Sequence, residues 1–204
     1  GGLHGANRLG GNSLAEILVF GKIVGQEASN FSKNLTFQPR SKNQVKKAHE
    51  NIDNRIKNSN NFSIVLQNNL RDIMWANCGV VKSEESLQSA LSKLEDLKKL
   101  FQETDVRLYE NNYLDLINSF DLEASLFSAE ATIKSSFERM ESRGSHQRSD
   151  FKETLKKYDC NFSVKMKEDK IVVSRKELSN LNNRQRDIIK KTKNISNFKD
   201  RLLE

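Results

Sequence analysis

Residues 2–16 run Gly-Leu-His-Gly-Ala-Asn-Arg-Leu-Gly-Gly-Asn-Ser-Leu-Ala-Glu, a glycine-rich loop leading into a helix start. Ser13, with Glu16 three residues on, has the spacing of a capping box and places Ser13 at the N-cap. Amides of a first helical turn lack intrahelical acceptors, and together with the helix dipole they favour negative charge. Arg8 adds a fixed cation whose planar fork matches a carboxylate. These residues describe an anion-binding corner; the plainer alternative is a loop leading into an ordinary capped helix. A second concentration of chemistry-bearing side chains lies at Glu141, Arg143, His146, Arg148 and Asp150. Opposite charges this dense read as an ion-pair network that docks one part of the protein on another, rather than as a catalytic centre.

The elements that carry these clusters follow from hydrophobic period and punctuation. Seven of the nine glycines fall within the first 25 residues, and Pro39 is the single proline, so the rest of the chain favours long helices. Ile17, Leu18, Val19, Phe20, Ile23 and Val24 make the first helix apolar nearly all round, which demands burial on several sides. Residues 30–61 read as a polar linker through Phe37-Gln38-Pro39 followed by a weak helix with Val45, Ala48, Ile52 and Ile56. Residues 63–77 form a firmer helix that Gly79 ends. From Ser83, Leu87, Leu91, Leu94, Leu97 and Phe101 recur every three or four residues. A further pattern from Val106 to Met140 places Tyr109, Tyr113, Leu116, Phe120, Ala124, Phe127, Ala131 and Phe137 on an expected core face, as one helix or as two broken near Phe120-Asp121. Three such helices favour an up-down-up bundle. Past Gly144 the period changes: Phe162, Val164 and Met166 alternate with polar residues, and Ile171, Val172 and Val173 follow Lys167-Glu168-Asp169-Lys170, the pattern of a two-stranded hairpin. Residues 177–204 are charged and Asn-rich and read as a marginal helix or disorder.

Composition narrows the function classes. Hydrophobic residues make up 36% of the 204 and charged residues 30%, enough for one lean core. Residues 152–204 hold 15 Lys/Arg against 8 Asp/Glu, a surplus equal to the +7 of the whole chain. That segment lacks aromatic interleaving or a nucleic-acid module, so it reads as a solvated or partner-facing surface and not as a nucleic-acid site. Cys78 and Cys160 form no CxxC pair, which points to neither a metal centre nor a redox dithiol, and two unpaired thiols fit a reducing compartment. No apolar run approaches the roughly 20 residues of a membrane span. The chain opens on Gly1-Gly2 instead of Met, the pattern of a piece of a longer protein.

The string HGANRLGGNSLAE, followed by Phe20-Gly21, resembles the motif near the end of the FAD domain in the succinate dehydrogenase/fumarate reductase flavoprotein family, which includes L-aspartate oxidase. Glu141-Ser142-Arg143-Gly144-Ser145-His146-Gln147-Arg148-Ser149-Asp150-Phe151 resembles the family's ESRGxHxRxDF segment, with Lys152 where the family usually has proline. Leu70-Arg71-Asp72-Ile73-Met74-Trp75 with Gly79-Val80-Val81 is similar to the start of its helical C-terminal domain. The resemblance implies that Arg8 binds a substrate carboxylate, orienting succinate or fumarate for hydride transfer at flavin N5. It implies that Asn12, Ser13 and Leu14 line the cofactor, with Ser13 and Leu14 near the N1/O2 edge of the FAD ring. His4 lies in the motif and reads as structural rather than catalytic. Glu141, Arg143, His146 and Arg148 are expected to dock the helical domain on the FAD domain, and no metal site is expected.

The expected architecture is mainly α: an antiparallel three-helix bundle at 62–151, a basic tail with a β-hairpin at 152–204, a linker at 30–61, and a detached loop and helix of the FAD domain at 1–29. The resemblance implies an FAD-dependent oxidoreductase acting on dicarboxylates, with most of the FAD site, the capping domain and its proton-donating arginine lying outside this chain. The 204 residues alone are therefore expected to be inactive. An iron–sulfur subunit is the implied partner, with no direct membrane span and a place in the cytoplasm or at the cytoplasmic face of a membrane. Two alternatives stand beside this: part of an L-aspartate oxidase, or a stand-alone helical module docking an acidic partner.

Overall fold

A computed structural model describes residues 4–36, 41–56, 62–107, 113–168 and 170–193. Six α-helices are present among them: α1 Asn12–Lys33, α2 Lys42–Asp53, α3 Ser63–Cys78, α4 Glu84–Gln102, α5 Leu114–Glu138 and α6 Asn183–Lys193. Four short strands join them: β1 Val81–Lys82, β2 Gln147–Arg148, β3 Cys160–Lys167 and β4 Lys170–Glu177. Phe37-Gln38-Pro39, Tyr109 and the end of the tail lie outside the described residues.

The expected bundle is α3, α4 and α5, closed around Leu66 and Leu70, then Leu87, Ala90, Leu94 and Leu97, then Leu122, Leu126, Ala129 and Ile133. Fully burying a leucine side chain contributes about 2 kcal/mol, so this cluster dominates the fold's stability. The start of α4 shows why that helix begins where it does. Ser83 Oγ accepts from the Ser86 amide at 3.2 Å, and Ser86 Oγ accepts from the Ser83 amide at 2.9 Å. Glu84 and Glu85 set negative charge against the positive end of the helix dipole.

Helix α5 corrects the reading of its core face. It is unbroken, and its buried residues are Ser119, Leu122, Leu126, Ala129, Glu130, Ile133 and Ser136. Tyr113 is 62% exposed, Phe127 41% and Phe120 37%; of the stripe expected inside, Phe137 packs partly against the core. Apolar and polar residues are mixed around α5, which leaves no stripe to choose from, so packing against α3 and α4 selects the face. Phe120 is covered instead by the Arg55 guanidinium, 4.3 Å from its ring centroid. Arg55 also donates to Ser119 Oγ at 2.8 Å and pairs with Glu123 at 2.5 Å, tying the segment after α2 to α5.

The hairpin matches expectation: β3 and β4 pair antiparallel from Cys160↔Glu177 to Lys167↔Lys170. Its turn contains Glu168 at φ 49°, a left-handed conformation costly for a residue with a Cβ. The sequence did not reveal the parallel pair β1–β2, with Val81 opposite Gln147 and Lys82 opposite Arg148. It stitches the α3–α4 connection to the segment after α5. Helix α1 buries none of its residues and continues to Lys33, past the expected boundary at 29. Leu14, Leu18 and Phe31 are each about two-thirds exposed or more. No helix among the described residues is long and apolar enough to cross a membrane.

Candidate functional site

The first cluster forms around the start of α1. Gly5 at φ 57° and Gly11 at φ 80° turn the loop tightly into the helix. Gly11, not Ser13, is the N-cap, and it offers no side-chain cap. This replaces the expected capping box. The left-handed Gly11 starts the helix at Asn12, so Ser13 already sits inside the first turn, where its hydroxyl is no longer placed to cap. Ser13 Oγ instead accepts from Arg8 Nη1 at 2.7 Å. Glu16, the other half of the expected box, takes a hydrogen bond from His4 Nε2 at 2.5 Å. His4 thus braces the loop against the helix. Arg8, Asn12, Ser13 and Leu14 are brought together at one helix end, with Arg8, Asn12 and Leu14 exposed and Ser13 half-buried. Among the described residues Arg8 has no carboxylate partner.

The second cluster lies beyond the end of α5 and centres on Glu141, which is fully buried. It accepts from Arg139 Nη1 at 2.6 Å, Arg143 Nε at 2.8 Å and the Leu155 amide at 2.7 Å. Burial pushes this carboxyl up, but hydrogen bonds from Arg143, Leu155 and Arg139, with the Arg143 charge, outweigh it and hold the pKa at about 2. Arg139 reaches on to the Tyr158 and Cys160 carbonyls at 3.0 and 2.7 Å, fastening the hairpin's first strand. Arg148, 2% exposed, forms a fork with both oxygens of Asp150 at 2.8 and 2.7 Å and donates to the Ser136 carbonyl at 3.0 Å. Arg148 lowers the Asp150 pKa to about 2. Asp150 Oδ2 in turn accepts from the Glu84 amide at 2.8 Å, a further cap on α4. His146 donates through Nε2–H to the Arg139 carbonyl at 3.0 Å, a structural contact, and burial lowers its pKa.

Glu141 and Arg143 share one ion-pair network, and Arg148 with Asp150 forms a second beside it. Most of their bonds stay within residues 139–159, with Arg148 reaching the end of α5 and Asp150 the start of α4. The two clusters are joined, among the described residues, by hydrogen bonds from the Ser145 amide and hydroxyl to the Ala6 carbonyl at 3.2 and 3.3 Å. Sequence reasoning missed Arg139, whose three bonds make it as central as Arg143; its position two residues before Glu141 was the available signal. It also missed Lys82, buried on β1, whose ammonium donates to the Val80 carbonyl at 3.1 Å and whose pKa burial lowers. Among the described residues no group of His, Cys, Asp and Glu is arranged to hold a metal ion.

The family described as "Fumarate reductase flavoprotein C-term" matches residues 67–196. An uncharacterized FAD-dependent oxidoreductase of Methanocaldococcus jannaschii is 36% identical over 168 residues, covering 82% of this chain and 30% of that protein. The fumarate reductase flavoprotein of Proteus vulgaris is 34% identical over 156 residues, covering 73% of this chain and 26% of that protein. The solved Mycobacterium smegmatis Sdh1 complex in the apo form contains a chain that superposes with a TM-score of 0.80 at 26% identity, covering 89% of this chain and 32% of that one. The chain thus spans under a third of the length of the relatives it matches.

Proposed function

This chain belongs to the fumarate reductase/succinate dehydrogenase flavoprotein family, as part of its C-terminal region, and we propose that within the whole flavoprotein it helps interconvert succinate and fumarate. The observation that carries the reading is Arg8: an exposed guanidinium, steadied by Ser13 Oγ at 2.7 Å and without a carboxylate partner among the described residues. A planar cation held this way is ready for a bidentate carboxylate. Asn12, Ser13 and Leu14 suit a flavin at the same corner. The helix start there presents amide dipoles, and Gly10 and Gly11 face open space beside it.

Bound FAD would supply the hydride acceptor or donor at its N5. The chain's own contribution is electrostatic and geometric. Arg8 binds one carboxylate of the substrate and fixes its approach. The first turn of α1 stabilises negative charge that develops beside it. Most FAD contacts, the proton donor and the remaining substrate contacts are assigned to residues upstream of this chain, which is why residues 1–204 alone are proposed to be inactive. An iron–sulfur subunit is the proposed electron partner. The test is turnover by the whole flavoprotein with a viologen dye as electron source. Fumarate reduction, with little activity on L-aspartate and none by residues 1–204 alone, supports the reading. Oxidation of L-aspartate in its place moves the assignment to L-aspartate oxidase, and absence of flavin defeats both.

A further inference from the structure

We propose that the Gly144–Ser145 turn is a positioning element for Arg8, setting the substrate-facing loop from the helical domain. The inference rests on Arg8 being the carboxylate clamp. Among the described residues, the two bonds from Ser145 to the Ala6 carbonyl are the only hydrogen bonds joining residues 4–36 to the rest of the chain. Ala6 stands two residues before Arg8. The loop is thus tied to α1 by His4–Glu16 and Arg8–Ser13 and to the rest of the chain by Ser145 on Ala6.

The turn is built for close approach. Gly144 adopts φ 57°, and a Cβ there would lie 2.3 Å from the Ala6 carbonyl oxygen and 2.6 Å from its carbonyl carbon. No side chain fits without pushing the Ala6 backbone away. The turn is also rigid. Arg143 and His146 exchange backbone hydrogen bonds at 2.7 and 3.0 Å, and Gln147 Nε2 donates to the Gly144 carbonyl at 2.8 Å. Arg143 is anchored on the buried Glu141, and Gln147 and Arg148 are fixed by pairing with β1. A stiff support therefore presses on a loop that, among the described residues, has no other hydrogen-bonded tie to the domain. The position of Ala6, and through it the direction of the Arg8 fork, follows the support. Misplacing a substrate-orienting group by about 1 Å costs about 100-fold in rate.

The experiment uses the whole flavoprotein with malonate as a dicarboxylate probe, binding being read from the flavin absorbance and fumarate reduction from dye oxidation. Gly144→Ala is expected to keep its flavin, weaken malonate about 10-fold and lower fumarate kcat/KM about 10- to 100-fold. In an Arg8→Gln background, Gly144→Ala is expected to weaken malonate no further, because the lost contact is the one it positions. Ser145→Ala leaves the glycine turn intact and removes one of the two donors, so it serves if Gly144→Ala does not fold. It is expected to weaken malonate about 3- to 10-fold, the scale of one hydrogen bond, and Ser145→Thr to restore binding. If Arg8→Gln loses malonate while the Gly144 and Ser145 variants bind it like the parent, the positioning role is wrong and the clamp stands. If Arg8→Gln itself binds malonate normally, the clamp reading fails and the inference with it.

Discussion

Replacing Glu141 by Gln is expected to destabilise the chain by about 3 kcal/mol at pH 7, the scale of removing one partner from a buried ion cluster. The side chain is fully buried and receives two guanidinium groups and the Leu155 amide. Glutamine keeps the volume and one acceptor oxygen but turns an NH2 group toward a cation that has lost its counter-charge. A second route gives the same size. A carboxyl whose pKa falls from an ordinary 4.5 to about 2 on folding stabilises the folded state by about 3 kcal/mol at neutral pH, at about 1.4 kcal/mol per tenfold change in proton affinity. The sign is that of a depressed carboxyl: the contribution is complete above about pH 4.5 and is lost as pH falls toward 2. For a chain of this size, about 3 kcal/mol corresponds to about 6–12 °C in melting temperature. Thermal unfolding of parent and Glu141→Gln chains, followed by far-UV circular dichroism from pH 7 to pH 2, measures the gap directly. The expected gap is widest at neutral pH and closes between pH 4.5 and 2. A gap under about 2 °C at pH 7, or one that stays constant with acidification, would show that the buried Glu141 charge contributes little to stability.

Other perturbations probe different parts of the structure. Leu94→Ala, at a site with no exposure in the centre of the bundle, is expected to cost about 3–4 kcal/mol in urea unfolding with an unchanged m-value, and a loss under about 1 kcal/mol would mean the core is elsewhere. Glu168→Gly is expected to stabilise the hairpin by about 0.5–1 kcal/mol because glycine relieves the φ of 49°; a lower melting temperature contradicts that account. Asp150→Ala removes both the Arg148 fork and a cap on the Glu84 amide, so amide exchange should accelerate in the first turn of α4, whereas an effect confined to residues 147–151 would show that the cap contributes nothing.

How much of this was legible in the sequence varied with the kind of signal. Helix α4 was plain, because Leu87, Leu94 and Leu97 are spaced on one face among charged residues and all three are buried. The hairpin was plain for the same reason at period two. Helix α5 was found but turned the wrong way, since a helix with phenylalanines on its outer side offers no contrast for periodicity to detect. The β1–β2 pair is two residues long and joins segments more than sixty residues apart, so neither strand carries a pattern of its own. At the candidate site, the sequence marked Arg8 and Ser13 but not the bond between them, and the expected cap was absent because Gly11 took a left-handed conformation that side-chain rules for Ser and Glu do not see. The dense charges at 141–150 announced a network; that Glu141 would lie fully buried at its centre, with Arg139 as an unrecognised member, depended on tertiary packing.

The proposed succinate/fumarate chemistry rests on Arg8 as the carboxylate clamp. Steady-state fumarate reduction by the whole flavoprotein carrying Arg8→Gln is expected to show kcat/KM lowered by about 10²–10³, the scale of losing one fixed charge-stabilising donor, with flavin content and melting temperature unchanged. A variant that retains its flavin and turns over fumarate as the parent does would contradict it.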